Sequence, residues 1–461
     1  MGKLLGHLRH YIFSHFSVAK ILTLSFLFLI ISGTILLMMP FSNLKEPLPL
    51  IDNLFTATSA TCVTGLLTNV VKDQYTVFGR FVILMLIQIG GLGLMTFISV
   101  VLLFMKTKLE FKERLLLKDA LNKLDFSDIR LYIISIFKYT FVFESVGALL
   151  LSMVFIKEFG VLNGIGHAIF LSISAFCNAG IDCFGSSSLL IYQNNPIVIL
   201  TVAMLIIFGG IGFAVWFDYR AKIGFLFHFK KNKNNTPKRF TLHTKMVTIV
   251  TLGLLLGGTL LILVFEYNNA LADLSFSDKI MNSFFNSTTL RTAGFFSIDY
   301  SILHRITKIV MIVFMLIGGS PGGTAGGIKT TTFFLLLYVA VSEFKGHEHM
   351  HIYGRHIGKK NFIKAYIIFA FYLLTILFAF MILLCTEPFE SLDILFEVVS
   401  AIGTVGLTIG ITADLSIVGK IVIILLMFIG RVGPITIAYS FRNDHKNEMG
   451  IKYPRTEIIV G

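Results

Sequence analysis

A chain of 461 residues that is 55% hydrophobic and only 14% charged is too apolar for a water-soluble fold, where about a quarter of residues carry charge. Its mean hydropathy of +0.82 places it among polytopic membrane proteins, so its length does not divide into soluble domains. A net charge of +13 would suggest nucleic acid in a soluble protein, but its placement along this chain reads as membrane topology, which excludes nucleic acid as a partner.

The N-terminal segment 1–16 carries Lys3 and Arg9. The apolar run at 17–39 has basic residues before it and no small-residue cleavage site after it. It therefore reads as a retained transmembrane helix rather than a signal peptide. The next apolar stretch, 50–61, is too short to cross, since spanning takes about 20 residues. It reads as a re-entrant half-helix that leads into the loop Cys62-Val63-Thr64-Gly65. A long run at 78–104 closes this first repeat, 17–105.

The same order recurs three times. Repeat 2, 130–218, has a span at 131–156, a half-helix at 163–176, the loop Cys177-Asn178-Ala179-Gly180 and a closing run at 196–217. Repeat 3, 243–340, has 244–266, then 277–289, then Arg291-Thr292-Ala293-Gly294, then 303–340. Repeat 4, 362–440, has 362–385, then 391–402, then Gly403-Thr404-Val405-Gly406, then 417–440, followed by a tail at 441–461. The expected fold is an all-α polytopic membrane protein with eight spans and four half-helices. Its four channel-like helix–pore helix–filter loop–helix repeats surround one central pore.

In each repeat a Ser or Thr stands six residues before the shared Gly: Ser59, Ser174, Thr288 and Ser400. Four equivalent hairpins can surround one axis, as an ion pore requires. A cation leaving water needs oxygens to replace its shell, and backbone carbonyls supply them where Gly permits the dihedrals. The half-helices end just before the loops, so their negative dipole ends can face the cation. Side chains differ among the loops while the Gly is shared, as expected if the main chain carries the function. Four unrelated tight turns are the alternative, against which the even spacing and shared flanks weigh. Arg291 would repel a cation if it pointed inward, so it is expected to face backward and tie its loop to a neighbouring helix. Asp52, His167 and Asp393 stand thirteen residues before the repeat Gly, with Asp278 near the matching place. An Asp there is expected as a helix N-cap, or else as an ordinary outer-loop acid.

The third closing run is broken by Gly318-Gly319-Ser320-Pro321-Gly322-Gly323-Thr324-Ala325-Gly326-Gly327. Such a run is a poor helix, and unwound backbone at membrane depth is tolerated where it is buried in protein or lines a wet cavity. Gly322 and Gly327 have the spacing of a phosphate-binding loop, with Lys329-Thr330 after them, but Ile328 intervenes and no strand precedes. A constriction or gate is the better reading, with Lys329 facing water or the pore. Arg431 follows Gly430 in the fourth closing run and matches Gly91, Gly210 and Gly319. It reads as a gate or electrostatic barrier, or alternatively as a buried structural partner.

Cys62, Cys177, Cys183 and Cys385 form no CxxC pair and read as buried small residues rather than a disulfide framework. His347, His349, His351 and His356 read as exposed loop histidines, a metal site being the alternative. Glu144 is expected to be paired within the bundle. No nucleophilic triad or paired carboxylate stands out, so no enzyme is expected. Basic residues gather in the N-terminal tail, in 106–130, 218–245 and 342–364, and after 440. By the positive-inside rule these segments and both termini are cytoplasmic, where they also meet anionic lipid.

The four Gly loops, Arg291–Phe295, the block 318–333 and Arg431 resemble the Trk/Ktr/HKT superfamily of cation transporters over about 17–461. The short length and the ending from Tyr453 to Gly461 most resemble the bacterial Ktr membrane subunit. The resemblance implies a plasma-membrane homodimer that takes up potassium, with sodium as a possible activator. It implies no cofactor in this chain, nucleotide being held by a cytosolic RCK-type regulatory ring on the basic connectors. It also implies a gate at 318–327 with Arg431 close by, and potassium selectivity, since Gly65 occupies the position where Ser goes with sodium. Two other classes compete. A nucleotide-driven pump needs a large soluble domain that no connector can hold. A secondary transporter for an organic solute predicts broken helices in several repeats, where the sequence suggests one.

Overall fold

The computed structural model describes residues 18–93, 129–228, 240–346 and 351–441. Among the described residues four unbroken helices are long and apolar enough to cross a bilayer, and each opens a repeat: Val18–Met38, Ile129–Phe159, Leu242–Glu266 and Lys359–Thr386. Each is apolar on all sides, so one face can meet lipid while another packs inward. In the third, Leu252, Leu256, Leu260 and Val264 are exposed, whereas Leu255 and Ile262 are buried.

Inside this ring of spans stand four short helices, Leu50–Cys62, Val161–Cys177, Phe276–Thr289 and Ser391–Gly403. A 13-residue helix rises roughly 20 Å, short of the ~30 Å hydrocarbon core. Their C-terminal halves are almost wholly buried although rich in hydroxyls, such as Thr56, Thr58, Ser59 and Thr61 in the first. Each short helix packs on the span of its own repeat and on the closing helix of the preceding one. The fourth closing helix packs on the first short helix, so the repeats form a closed ring. The apolar core follows the same rule. Phe55 of repeat 1 shares a cluster with Met311, Phe396 and Met427 of repeats 3 and 4, and Phe176 of repeat 2 shares one with Phe285 and Phe295 of repeat 3. No repeat buries its own apolar face alone.

The closing runs differ from expectation. One interruption was expected, in repeat 3, but the closing helices of repeats 2, 3 and 4 are all interrupted. The second is Pro196–Gly210 followed by Phe213–His228, bent by 97°. The third is Arg305–Met315, then a loop, then Thr330–Phe344. The fourth is Ile417–Val432, then Gly433, then Pro434–Phe441. The first ends at Leu92, and the remainder of its expected run, 94–104, lies outside the described residues. The first closing helix ends at Gly93 and the breaks of repeats 2 and 4 fall at Gly212 and Gly433, with φ of 82°, 92° and 87°, a region that Cβ-bearing residues avoid. Pro434 then cannot donate to the helix before it.

Hydrogen bonds fix where the closing helices start. Thr76, Asn195 and Ser416 are side-chain N-caps. The third closing helix lacks such a cap, and Glu266 instead accepts from His304 N and Thr307 Oγ1. Of the histidine cluster, His347 and His349 lie outside the described residues, while His351 and His356 are register partners in a two-residue antiparallel pair.

Candidate functional site

Each short helix runs into a loop of the same shape. Two residues before the shared glycine the chain turns left-handed, at Val63, Asn178, Thr292 and Thr404 with φ of 56°, 61°, 67° and 51°. The glycines follow with φ of 105° at Gly65, 65° at Gly180, 82° at Gly294 and 88° at Gly406. Valine and threonine rarely adopt such dihedrals. Strain repeated at one position in three loops marks a place where the surroundings impose the geometry.

Those surroundings start with the Ser or Thr of the repeat motif. Thr64 N donates to Ser59 O at 2.9 Å, Ala179 N to Ser174 O at 2.8 Å and Val405 N to Ser400 O at 2.8 Å. The serine hydroxyls then accept from the next amides, Ser59 Oγ from Gly65 N at 3.0 Å and Ser400 Oγ from Gly406 N at 3.1 Å. Ser174 Oγ accepts from Ile181 N at 3.2 Å. Repeat 3 departs: its helix stops at Thr289, Ala293 N donates to Thr289 O at 2.9 Å, and Thr288 Oγ1 donates back to Phe284 O.

The four loops meet in a ring. A Cβ placed on Gly65 would lie 2.7 Å from Ala179 O, one on Gly180 2.7 Å from Ala293 O, and one on Gly294 2.8 Å from Val405 O. One on Gly406 would overlap Thr64 O, which closes the cycle from repeat 4 to repeat 1. Each glycine thus faces the carbonyl that precedes the glycine of the next repeat, and no side chain fits between. Around the ring, the hydroxyls of Thr61, Thr64, Thr289, Thr292 and Thr404 are buried without a hydrogen-bond partner among the described residues.

A second layer is built from the glycine pairs of the closing helices and the loop of repeat 3. The first glycine of each pair in repeats 1, 2 and 4 lies against the end of its own short helix: Gly90 on Thr61 O, Gly209 on Phe176 O and Gly430 on Ile402 O. Backbone touches backbone there, so a Cβ has no room. The loop 318–327 lies between repeats 2 and 4. Its neck is pinned by Gly318 N to Ile328 O at 2.9 Å and Thr330 N to Gly319 O at 3.1 Å. Its tip is tied to the break of repeat 2 by Ser320 N to Gly210 O at 2.9 Å, Thr324 N to Gly209 O at 3.2 Å and Phe213 N to Gly322 O at 3.2 Å. Thr324 Oγ1 donates to Phe176 O at 3.1 Å. Gly326 and Gly327 lie against Thr404 and Gly403 of the fourth loop.

Arg431 joins this layer across the axis. Its guanidinium donates to Thr324 O in repeat 3 and to Gly90 O and Gly91 O in repeat 1, the last at 2.9 Å. Among the described residues no carboxylate pairs with it. Lys329 is half-buried, and its Nζ turns back to donate to Ala325 O at 2.7 Å. Ser320, Pro321, Gly322 and Gly323 hold the part of the loop nearest repeat 2.

Several side chains depart from expectation. Arg291 is buried, but its Nε and Nη2 have no partner among the described residues, so the expected tie to a neighbouring helix is not formed. Asp52 and Asp393 are not N-caps: Pro49 and Glu390 hold those positions, with no side-chain bond. Asp52 pairs with Lys420 at 2.7 Å and Asp393 with Lys308 at 2.8 Å, each joining a short helix to the closing helix of the preceding repeat. Asp278 accepts from the Ser275 hydroxyl at 2.7 Å, Ser275 being the cap. His167 stacks on Phe184 and meets Phe159 at a tilt. Glu144 accepts from Gln88 Nε2 at 3.4 Å, and among the described residues no cation pairs with it and its Oε1 has no partner. Cys62, Cys177 and Cys183 are buried free thiols, but Cys385 is exposed. Sequence reasoning missed the anchoring by Gly209 and Gly210 and the breaks at Gly212 and Gly433; the Gly-Ile-Gly and Gly-Pro runs were the signals available.

The chain matches the TrkH family model, described as a cation transport protein, over residues 8–453. It is 41% identical to the potassium/sodium uptake protein NtpJ of Enterococcus hirae, over 96% of this chain and 97% of that protein. It is 38% identical to the Ktr system potassium uptake protein B of Bacillus subtilis, over 97% of each. The crystal structure of the potassium transporter TrkH from Vibrio parahaemolyticus aligns with a TM-score of 0.68, over 91% of this chain and 84% of that one. At 18% identity that likeness concerns the fold alone.

Proposed function

This chain belongs to the TrkH family of cation transport proteins, membrane transporters and not enzymes, and from that membership we propose that it takes potassium up across the cell membrane through the ring of four glycine loops. The observation that carries the reading is the cyclic succession in which Gly65, Gly180, Gly294 and Gly406 each face the carbonyl of the next loop. Four converging carbonyls can replace part of a cation's hydration shell. The C-terminal ends of four short helices add negative partial charge behind them, and the unpartnered threonine hydroxyls around the ring are further oxygens for an ion or its water.

The loop 318–327 with Arg431 is the gate in this reading. A guanidinium held by carbonyls of two repeats beside the ring opposes cation passage until the loop moves. Gly65 at the first loop favours potassium over sodium. Sodium as an activator is supported by a relative named as a potassium/sodium uptake protein. Relatives named as proteins B and D of Ktr systems support a further component. We take this to be a cytosolic nucleotide-binding ring seated on the basic connectors of a homodimer, with both termini cytoplasmic.

The interruption of three closing helices is also what a secondary transporter for an organic solute would have. The breaks here present glycine backbone and one arginine rather than a set of solute-binding side chains, so the pore is the preferred reading. The test is potassium or rubidium uptake by potassium-uptake-deficient bacterial cells expressing this chain, with and without sodium. Saturable uptake lost in Gly294→Val is expected. Absence of uptake from a well-expressed chain, with a regulatory ring supplied, overturns the assignment.

A further inference from the structure

A strained loop keeps its shape where neighbours hold it from more than one side. On the near side the fourth loop is held by Ser400, as described. In repeats 1 and 3 the segment beyond the glycine is also held to the short helix, by a neutral bond from tyrosine to asparagine. Tyr75 donates to Asn53 Oδ1 at 3.2 Å, and Tyr300 to Asn286 Oδ1 at 2.8 Å. In repeat 4 the side chain in this role is Glu397, one turn before Ser400 and 1% exposed. Its Oε1 bonds Thr412 Oγ1, Thr412 Oγ1 is 2.9 Å from Thr408 Oγ1, and Thr408 Oγ1 accepts the amide of Gly410 at 3.0 Å. These contacts take hold of the chain from two to six residues beyond Gly406.

Among the described residues no cation pairs with Glu397. On the helices packed against it, Lys308 and Lys420 are paired with Asp393 and Asp52. Arg431 is engaged by backbone carbonyls, and Glu387 accepts from the Ser416 cap. The second oxygen of Glu397 is buried without a partner. A buried carboxyl left partly unsatisfied costs the fold stability, so stability does not account for this residue, whereas its grip on the loop does. The fourth loop enters two of the four contacts of the ring, Val405 O against Gly294 and Gly406 against Thr64 O. Loosening it changes the size and stiffness of the carbonyl cage, the properties on which discrimination between potassium and sodium depends.

We propose that Glu397 is a positioning residue for ion selection: through Thr412 and Thr408 its carboxyl fixes the outer side of the fourth loop and so sets the preference for potassium over sodium. This rests on the ring being the selectivity filter. The test compares potassium and sodium uptake by wild type, Glu397→Gln, Glu397→Ala, Thr412→Val and the double variant Glu397→Ala/Thr412→Val, at matched membrane levels. Thr412→Val and Glu397→Ala are expected to lower the potassium preference about tenfold, the scale of one strong hydrogen bond lost. Glu397→Gln, which keeps a hydrogen-bonding group of the same shape, stays near wild type. The double variant is no worse than either single one, because both break the same link. Unchanged preference in Thr412→Val, which removes little more than a hydroxyl and folds even if Glu397→Ala does not, overturns the proposal. A wild type that takes up no potassium fails at the prior step, the filter reading itself.

Discussion

Arg431 offers the sharpest test of the gate. Its guanidinium bonds Thr324 O of the interrupted loop on one side and Gly90 O and Gly91 O of repeat 1 on the other. Hydrogen bonds from charged donors contribute about 1.5–3 kcal/mol each, but bonds sharing one side chain are not additive. A loss of about 3 kcal/mol for the set in Arg431→Ala is therefore reasonable, or roughly 100-fold in the ratio of held to released loop. Basal potassium flux without any regulatory subunit should rise accordingly, up to the limit set by the ring. Arg431→Lys separates the two ways the residue could act. It keeps the charge, but a single ammonium cannot fork to carbonyls on both sides. Flux near wild type in Arg431→Lys means that the charge is the barrier; flux equal to Arg431→Ala means that the bridge is. The assay is rubidium flux into proteoliposomes holding purified protein. Folded Arg431→Ala with unaltered flux would refute the gate.

Three further outcomes are expected. Gly65→Ser places a side chain 2.7 Å from Ala179 O at a φ of 105°, so the ring must shift and sodium should compete better with potassium in uptake; an unchanged ion preference counts against the filter assignment. Lys420→Ala leaves Asp52 unpaired at the seam between repeats 4 and 1, where the pair is 14% and 10% exposed. A loss on the order of 3 kcal/mol should lower thermal stability in detergent, with Asp52→Asn adding little on top, and additive effects would argue against the pair. Deletion within Gly322–Gly327 removes the bonds from Thr324 N to Gly209 O and from Phe213 N to Gly322 O and should raise basal flux; a folded deletion variant with wild-type flux excludes the loop as the constriction.

What could be read from the residues in order was what depends on neighbours in sequence or on the bilayer. Spans and half-helices were legible because about 20 apolar residues are needed to cross and the short stretches fall below that. The glycine loops were legible because a left-handed turn after a helix is a local demand, and because the Ser59 and Ser400 hydroxyls reach amides only six residues on. The apolar content placed the chain in the membrane for the same reason.

Tertiary structure decided the rest. Gly212 and Gly433 look like ordinary glycines of transmembrane helices. They become breaks where the adjoining helix is pressed against carbonyls, as Gly209 is on Phe176 and Gly430 on Ile402. Asp52 stands where a cap is expected, but its partner is Lys420, 368 positions away. Arg431 bonds Gly90 across 341 positions, and Glu397 holds a loop through two threonines that no spacing rule links to it. A backbone turn is fixed by its own few dihedrals. Which buried group meets which carbonyl is settled only when four repeats close into one ring, because each such contact joins segments that folding alone brings together.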